Sequence, residues 1–442
     1  MKKYLKIQLS AILILSAVFF SCRTMADVDF VSVDTEIRNN NYAQAAEILN
    51  SDANYYTKHD TVLTYLDQGV LRHFAGDFNS SNEYLSKAEK EIDEKFTKSI
   101  TQAIGTGIIN DTVQDYAGET FENIYTNIFM CLNYLHLKKF DDAEVEIKRF
   151  DNKMKLVGTE YEEVLQSQRG KLEKGEGFAV DSKVNFHNSA FARYLSLLIY
   201  RTEGDTSNAE LDYKKIQEAF ALQKDIYNFD IPESIKDDLV LPKNEARVNL
   251  ISFIGYSPLK QETEIRIPFR GAYYKQALPV MTDRASAISA VQVVMTNKTT
   301  GEVFKAPYKR IETISNVIND TYKQHFAAIY CRSTLRSIGK STGSGILSVG
   351  SEVANNSGTK LLFGMLSLTS QIATEATERA DVRMCRYFPG NVCIAGMTVP
   401  DGTYDVTITY YSSSGRVLYS QIVENYHAKT GELNLIESVC QK

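Results

Sequence analysis

The sequence predicts an α+β protein: a helical repeat half, then an antiparallel, β-sandwich-like half with a helical hairpin inserted in it. Three observations predict it. Between 28 and 225, helices recur around short polar breaks, with small residues at fixed offsets after each break. From 247 to 442, short runs alternate apolar and polar residues, the period of a half-buried strand. Between them, at 226–246, Pro232 and Pro242 interrupt helix and Lys236-Asp237-Asp238 is polar, so a linker is expected. With 442 residues and 43% hydrophobic content, the chain has material for two or three packed domains and is not a disordered composition.

The first residues form a unit of their own. Lys2, Lys3 and Lys6 precede an apolar run from Leu9 to Phe20, and Ser21-Cys22 closes it. The run is short for a bilayer span and suits a secretory leader. A small residue directly before a cysteine is where lipoprotein signal peptidase cuts. Residues 1–21 are therefore expected to be a lipoprotein signal peptide, Cys22 the acylated residue and 22–27 a lipidated tether. Phe19 and Phe20 depart from the strictest form of that motif, and the alternative is an ordinary signal peptide. Arg23 stands where an aspartate would hold a lipoprotein at the inner membrane. The expected address is the bacterial outer membrane, lipid-anchored and facing the periplasm.

Four segments of the helical half share one pattern. The breaks are Asn40-Asn41-Tyr42, Gly76-Asp77-Phe78, Lys138-Lys139-Phe140 and Gly204-Asp205-Thr206. Ala45, Ser81, Ala143 and Ala209 follow them at one offset, with large residues such as Leu49, Leu85, Ile147 and Ile216 beyond. The pattern resembles the tetratricopeptide repeat, in which small residues let paired helices approach and large ones fill the space between repeats. Tryptophan is absent, and the spacing from Ser81 to Ala143 and from Ala143 to Ala209 is nearly double a standard repeat, so 92–120 and 155–186 are read as insertions. The alternative is a helical bundle without repeat geometry.

Strands are expected over Arg247–Ile254, Glu262–Pro268, Ala290–Met295, Asn391–Val399, Thr403–Tyr411 and Arg416–Tyr426, with Ser412 to Gly415 as a hairpin turn. The helical insertion at 314–381 divides into Ile314–Ile338, a Gly/Ser-rich stretch from Gly339 to Gly350, and Lys360–Ala380.

Composition excludes some functions. The net charge is −6, and losing Lys2, Lys3 and Lys6 with the leader leaves 46 basic against 55 acidic residues, or −9. No nucleic-acid partner is expected of such a chain. Beyond Cys22, five scattered cysteines make no disulfide framework; Cys385 and Cys393 flank the turn signal Pro389-Gly390 and are a possible disulfide, the alternative being two buried thiols. No cysteine or histidine spacing is that of a metal site, and no cofactor is expected. Gly339-Lys340-Ser341 lacks the earlier glycine and the preceding strand of a P-loop. Glu375, Glu378, Arg379, Asp381 and Arg383 read as paired surface charge. No catalytic motif surfaces, so no enzyme is expected.

Three stretches carry a wider resemblance: Asp115-Tyr116-Ala117-Gly118-Glu119, Gly255-Tyr256-Ser257-Pro258-Leu259-Lys260, and Thr377-Glu378-Arg379-Ala380-Asp381-Val382-Arg383 leading through Phe388-Pro389. In this order they resemble a family of bacterial envelope lipoproteins with tetratricopeptide-like repeats and a C-terminal β-rich domain. The resemblance implies that architecture and no catalytic residue. Together these readings predict a membrane-anchored scaffold that binds envelope proteins or peptides in the repeat groove. Tyr65, Arg72, Tyr134 and Tyr200, on the first helices of the repeats, are the expected partner-binding residues. The alternatives are processing of peptidoglycan or glycan, and a secretion accessory that oligomerises through 314–381.

Overall fold

Helical hairpins open the fold. The computed structural model describes residues 25–105, 114–166, 180–269, 272–353 and 379–442. The hairpins pair α1 (Val31–Arg38) with α2 (Tyr42–Ser51), α3 (Thr61–Phe74) with α4 (Phe78–Gly105), α5 (Thr120–His136) with α6 (Phe140–Met154), and α7 (Ala190–Glu203) with α8 (Thr206–Leu222). All four turn in the same way. Asn40, Gly76, Lys138 and Gly204 adopt left-handed backbone, with φ of 59°, 80°, 57° and 80°. The next amide reaches back to the carbonyl five residues earlier: Asn41 to Glu36 at 2.8 Å, Asp77 to Arg72 at 2.9 Å, Lys139 to Tyr134 at 2.9 Å and Asp205 to Tyr200 at 2.8 Å. This bond satisfies a carbonyl that the ending helix leaves open. Glycine takes the conformation freely; Lys138 adopts it at a cost of about 1–2 kcal/mol.

The small residue after each break does the work its spacing suggests. Ala45, Ser81, Ala143 and Ala209 have no exposed surface. Ser81 also donates its hydroxyl to the Gly69 carbonyl at 2.8 Å, so the one polar member is satisfied. Helices pack in chain order, and the first helices α3, α5 and α7 also touch one another. Of α5, only Asn123, Tyr134 and His136 escape burial.

The strands are β1 (Ala246–Ile254), β2 (Leu259–Phe269), β3 (Ala272–Thr282), β4 (Ala290–Asn297), β5 (Val303–Pro307), β6 (Lys309–Glu312), β7 (Asn391–Val399), β8 (Gly402–Tyr411), β9 (Val417–Ala428) and β10 (Asn434–Cys440). One sheet has the order β10-β1-β7-β6, a second β5-β4-β8-β9, and β2-β3 form a separate ribbon. The expected strands all occur. β3, β5, β6 and β10 were not expected, and β10 joins β1 in parallel, not antiparallel, register. The hairpin at Ser412–Gly415 closes with Ser412 N–H donating to the Arg416 carbonyl at 2.9 Å.

β1 explains how the halves join. Every residue of it is buried. Ala246, Val248 and Leu250 face the second sheet, where Val293, Met295, Val406 and Ile408 meet them. The alternate residues face the helices, and Phe253 packs its ring against Phe74, Phe129 and Phe191. The layers are thus helices, mixed sheet and antiparallel sheet, and the core of the helical half continues into β1 and β7.

The stretch expected as a linker at 226–246 is packed, not slack. Ile226, Tyr227 and Ile235 are buried. Of the polar run that marked it, Lys236 and Asp237 are exposed, but Asp238 is buried and accepts from Arg247 Nε at 2.7 Å and from Asn249 Nδ2 at 2.7 Å. The insertion differs too. Its first helix, α9 (Ile314–Val353), continues through the Gly/Ser-rich stretch without a break. Most of the expected second helix lies outside the described residues; from 379 to 390 the chain is a strap without regular structure.

Candidate functional site

The strap runs along the inner face of the helical array. Arg386 donates to Asp34 of α1 at 2.6 Å, and its amide donates to Asp67 of α3 at 2.9 Å. Arg383 reaches Asp60, just before α3, at 3.2 Å. The Cys385 amide donates to Glu122 of α5. Phe388 packs its ring among Phe121, Tyr125 and Phe129. Beyond the strap, β1 and β10 cover the remaining first helices. Asn249 bonds Tyr194 and Arg201 of α7 at 3.0 and 2.8 Å, and Glu437 lies 2.8 Å from His73 and 3.0 Å from His136. The groove expected to receive a partner is filled by the chain itself.

Where strap, ribbon, α9 and α5 meet, charged groups converge in the interior. Glu119 stands at the start of α5, and its amide donates to Glu122 at 2.8 Å, which begins the helix. Lys260 of β2 donates to Glu119 and, at 3.1 Å, to the Arg383 carbonyl. His325 of α9 contributes Nδ1 to the other Glu119 oxygen at 2.8 Å. Arg383 also holds Asp381 at 2.7 Å and the Gln114 carbonyl at 2.9 Å. The three stretches that carry the family resemblance therefore meet at one place, through Glu119, Lys260 and Arg383.

The environments split two neighbouring carboxyls apart. Burial pushes Glu119 upward, but the charges of His325 and Lys260 outweigh it and hold its pKa at about 2. Burial, with the Glu119 charge beside it, lifts Glu122 to about 7. Such a split is the arrangement that lets one group accept and another donate a proton near neutrality. The open space beside it, between Tyr116, Glu119, Tyr161, Lys260 and His325, is a cavity of about 50 Å³. That admits a few waters and no sugar ring. Glu122 is also fully engaged by the fold, accepting from Tyr116 Oη at 2.7 Å as well as from two amides.

The residues expected to bind a partner do not come together. Arg72 pairs with Glu47 at 3.1 Å and lies over the Tyr84 ring. Tyr65 also faces Tyr84. Tyr200 donates to Glu144 of α6 at 3.2 Å. Tyr134 is half-buried, packed against the core. Tyr65, Arg72 and Tyr200 thus turn toward the second helices, while their neighbours, such as His73, turn inward. Cys22 lies outside the described residues. Cys385 and Cys393 are free, buried thiols: Cys385 sits among the helices and Cys393 between the sheets, so the possible disulfide between them is not formed. Among the described residues no group of side chains suits a metal ion, and no helix is long and apolar enough to cross a membrane. Sequence reasoning did not single out Glu119, Lys260 and His325 as a site; Lys260 lies just before the strand expected at Glu262–Pro268, at the start of β2, and only the stretches of resemblance contain Glu119 and Lys260. Comparison with known proteins brings no neighbour to this site: no family model, curated protein or solved structure matches the chain.

Proposed function

We propose that the protein is a lipid-anchored envelope scaffold, attached through Cys22 to the periplasmic side of the outer membrane, that binds protein partners on the outer surface of a tetratricopeptide-like array. In this reading the helical half is a repeat array whose inner face has become the seat of a sandwich-like β domain. The observation that carries it is the filled inner face together with an open trough on the other side. Between α4 and α6 the trough has a volume of about 620 Å³ and is lined by Glu89, Lys90, Asp93, Glu94, Arg149 and Leu156, among others. Leu156 is 57% exposed there, an apolar contact ringed by charge of both signs. That composition suits a polar protein surface with one apolar anchor.

A photo-crosslinker placed at Lys90 in cells is expected to trap a discrete envelope protein, and Leu156→Asp to abolish the adduct. Cys22→Ser is expected to release the protein from the membrane fraction. Adducts that persist unchanged in Leu156→Asp would sink the trough as the partner surface. Processing of peptidoglycan or glycan gains no support from the 50 Å³ cavity at the converging carboxyls. The secretion-accessory reading rests on α9, a helix of 40 residues.

A further inference from the structure

Two adjoining cavities, about 260 and 80 Å³, run beneath the first described residues. Met25, Val28 and Val382 line both, and Leu63, Leu259 and Met384 line the larger. The charged groups on these walls are already engaged. Asp60 holds Arg383, Asp67 accepts from Tyr56 at 2.6 Å, Lys260 holds Glu119, Glu262 accepts from the Ala380 amide at 2.6 Å, and Arg386 holds Asp34. The larger cavity offers a guest more apolar than polar surface, from Val28, Leu63, Leu259, Val382 and Met384, while the smaller is about evenly mixed. A charged or sugar-like guest would have to displace internal pairs, whereas a hydrocarbon chain would not.

Cys22 is three residues before Met25, so its Cα lies within about 11 Å of the cavity wall, at roughly 3.6 Å per residue fully extended. We propose that this pocket is an acyl-chain site, and that its occupant is one of the fatty acyl chains borne by the protein's own Cys22. The inference rests on the lipid-anchor reading above. At about 30 Å³ per methylene-sized group, 260 Å³ holds roughly nine carbons, so the pocket shelters part of one chain, not the whole anchor. Sheltering matters when the acylated protein stands in water between membranes; once a bilayer is at hand it accepts every methylene and withdraws the chain.

The test uses two preparations. The mature chain carrying Cys22→Ser is titrated with a fluorescent fatty acid below its micelle concentration. Saturable one-to-one binding is expected, lost at least tenfold when Val28→Trp plugs the cavity and kept when Val28→Ala leaves it open. Val28 is half-exposed, and unchanged circular dichroism of both variants separates plugging from misfolding. No saturable binding by the folded Cys22→Ser chain overturns the proposal. Separately, cells fed a photoactivatable palmitate analogue report on the acylated protein. Label absent from the wild type removes the lipid-anchor reading while leaving the pocket's titration as it stands. Label present, with crosslinks to 25–30, 259–262 or 382–386 in detergent-free extract, supports self-occupation; crosslinks to other residues alone overturn it.

Discussion

Glu119 and Glu312 are both sealed where the helices meet the C-terminal half, and they are held by opposite means. Glu119 faces two basic side chains, the Lys260 ammonium and the His325 imidazole. Glu312 faces neutral donors only: Tyr125 Oη at 2.6 Å, Ser189 Oγ at 2.7 Å, Tyr227 Oη at 2.8 Å and the Phe191 amide at 3.3 Å. Burial accordingly lifts the Glu312 pKa, although its donors pull it back, whereas Glu119 is held far below its ordinary value. The difference follows from where the partners come from. Most donors to Glu312 lie on or just before and after the helical hairpins, which set their own positions. The partners of Glu119 arrive from β2 and α9, so its charge is balanced only when ribbon and insertion are both docked. One carboxyl pins a finished surface; the other registers that separate pieces have met.

Removing a partner should therefore cost most at Glu119. Lys260→Met leaves a buried carboxylate short of one of its two basic partners, and urea denaturation is expected to show a loss of about 3–5 kcal/mol. A loss under about 1 kcal/mol would erase the distinction. Glu312→Gln keeps the shape and gives up part of the acceptor set; the expected loss is about 1–3 kcal/mol, read in the same assay. The third effect concerns pH. Glu119 and Glu437, both held at about 2, add stability that is present above an unfolded pKa of about 4.3 and lost as pH falls toward about 2. Glu122, raised to about 7, acts the other way: its contribution is whole below about 4.3 and is lost as pH rises through about 7. Stability is expected to peak near pH 4–6. The gap between wild type and Glu122→Gln should shrink by about 2–3 kcal/mol from pH 5 to pH 8, since each of the roughly two pH units between 5 and the Glu122 pKa of about 7 is worth about 1.4 kcal/mol. A constant gap would show that Glu122 does not titrate in this range.

The helical hairpins were legible because each break carries its own signal: a residue suited to left-handed backbone, then a small residue at one offset. β4 and β8 were legible because their burial alternates along the strand, and β7 and β9 because apolar and polar residues recur along them, although burial alternates only in part of β7 and hardly at all in β9. β3 was not, because Pro279, Lys275 and Gln276 interrupt its pattern; as a ribbon strand resting on α9 it needs no third strand's hydrogen bonds and tolerates the proline. β6 and β10 are short, and β10 carries Glu437 inward to two histidines that no local pattern announces. The site was hidden for a related reason. Glu119 meets Lys260 and His325 across separations of 141 and 206 residues. Nor does sequence tell which side of a first helix looks inward. Arg72 and His73 are consecutive, yet a helical step of about 100° sends one to the outer pairs and the other to β10.

The place of β10 bears on when this protein can fold. Its partner strand β1 lies far earlier in the chain: the register pairs Val248 with Asn434 and Ile254 with Cys440, each pair 186 positions apart. Until that segment leaves the ribosome, β1 lacks one neighbour and His73 and His136 lack their carboxylate. The half-made chain therefore has no complete native state to fall into. Removal of β10 would keep every helical hairpin but leave the fully buried strand β1 with an open edge.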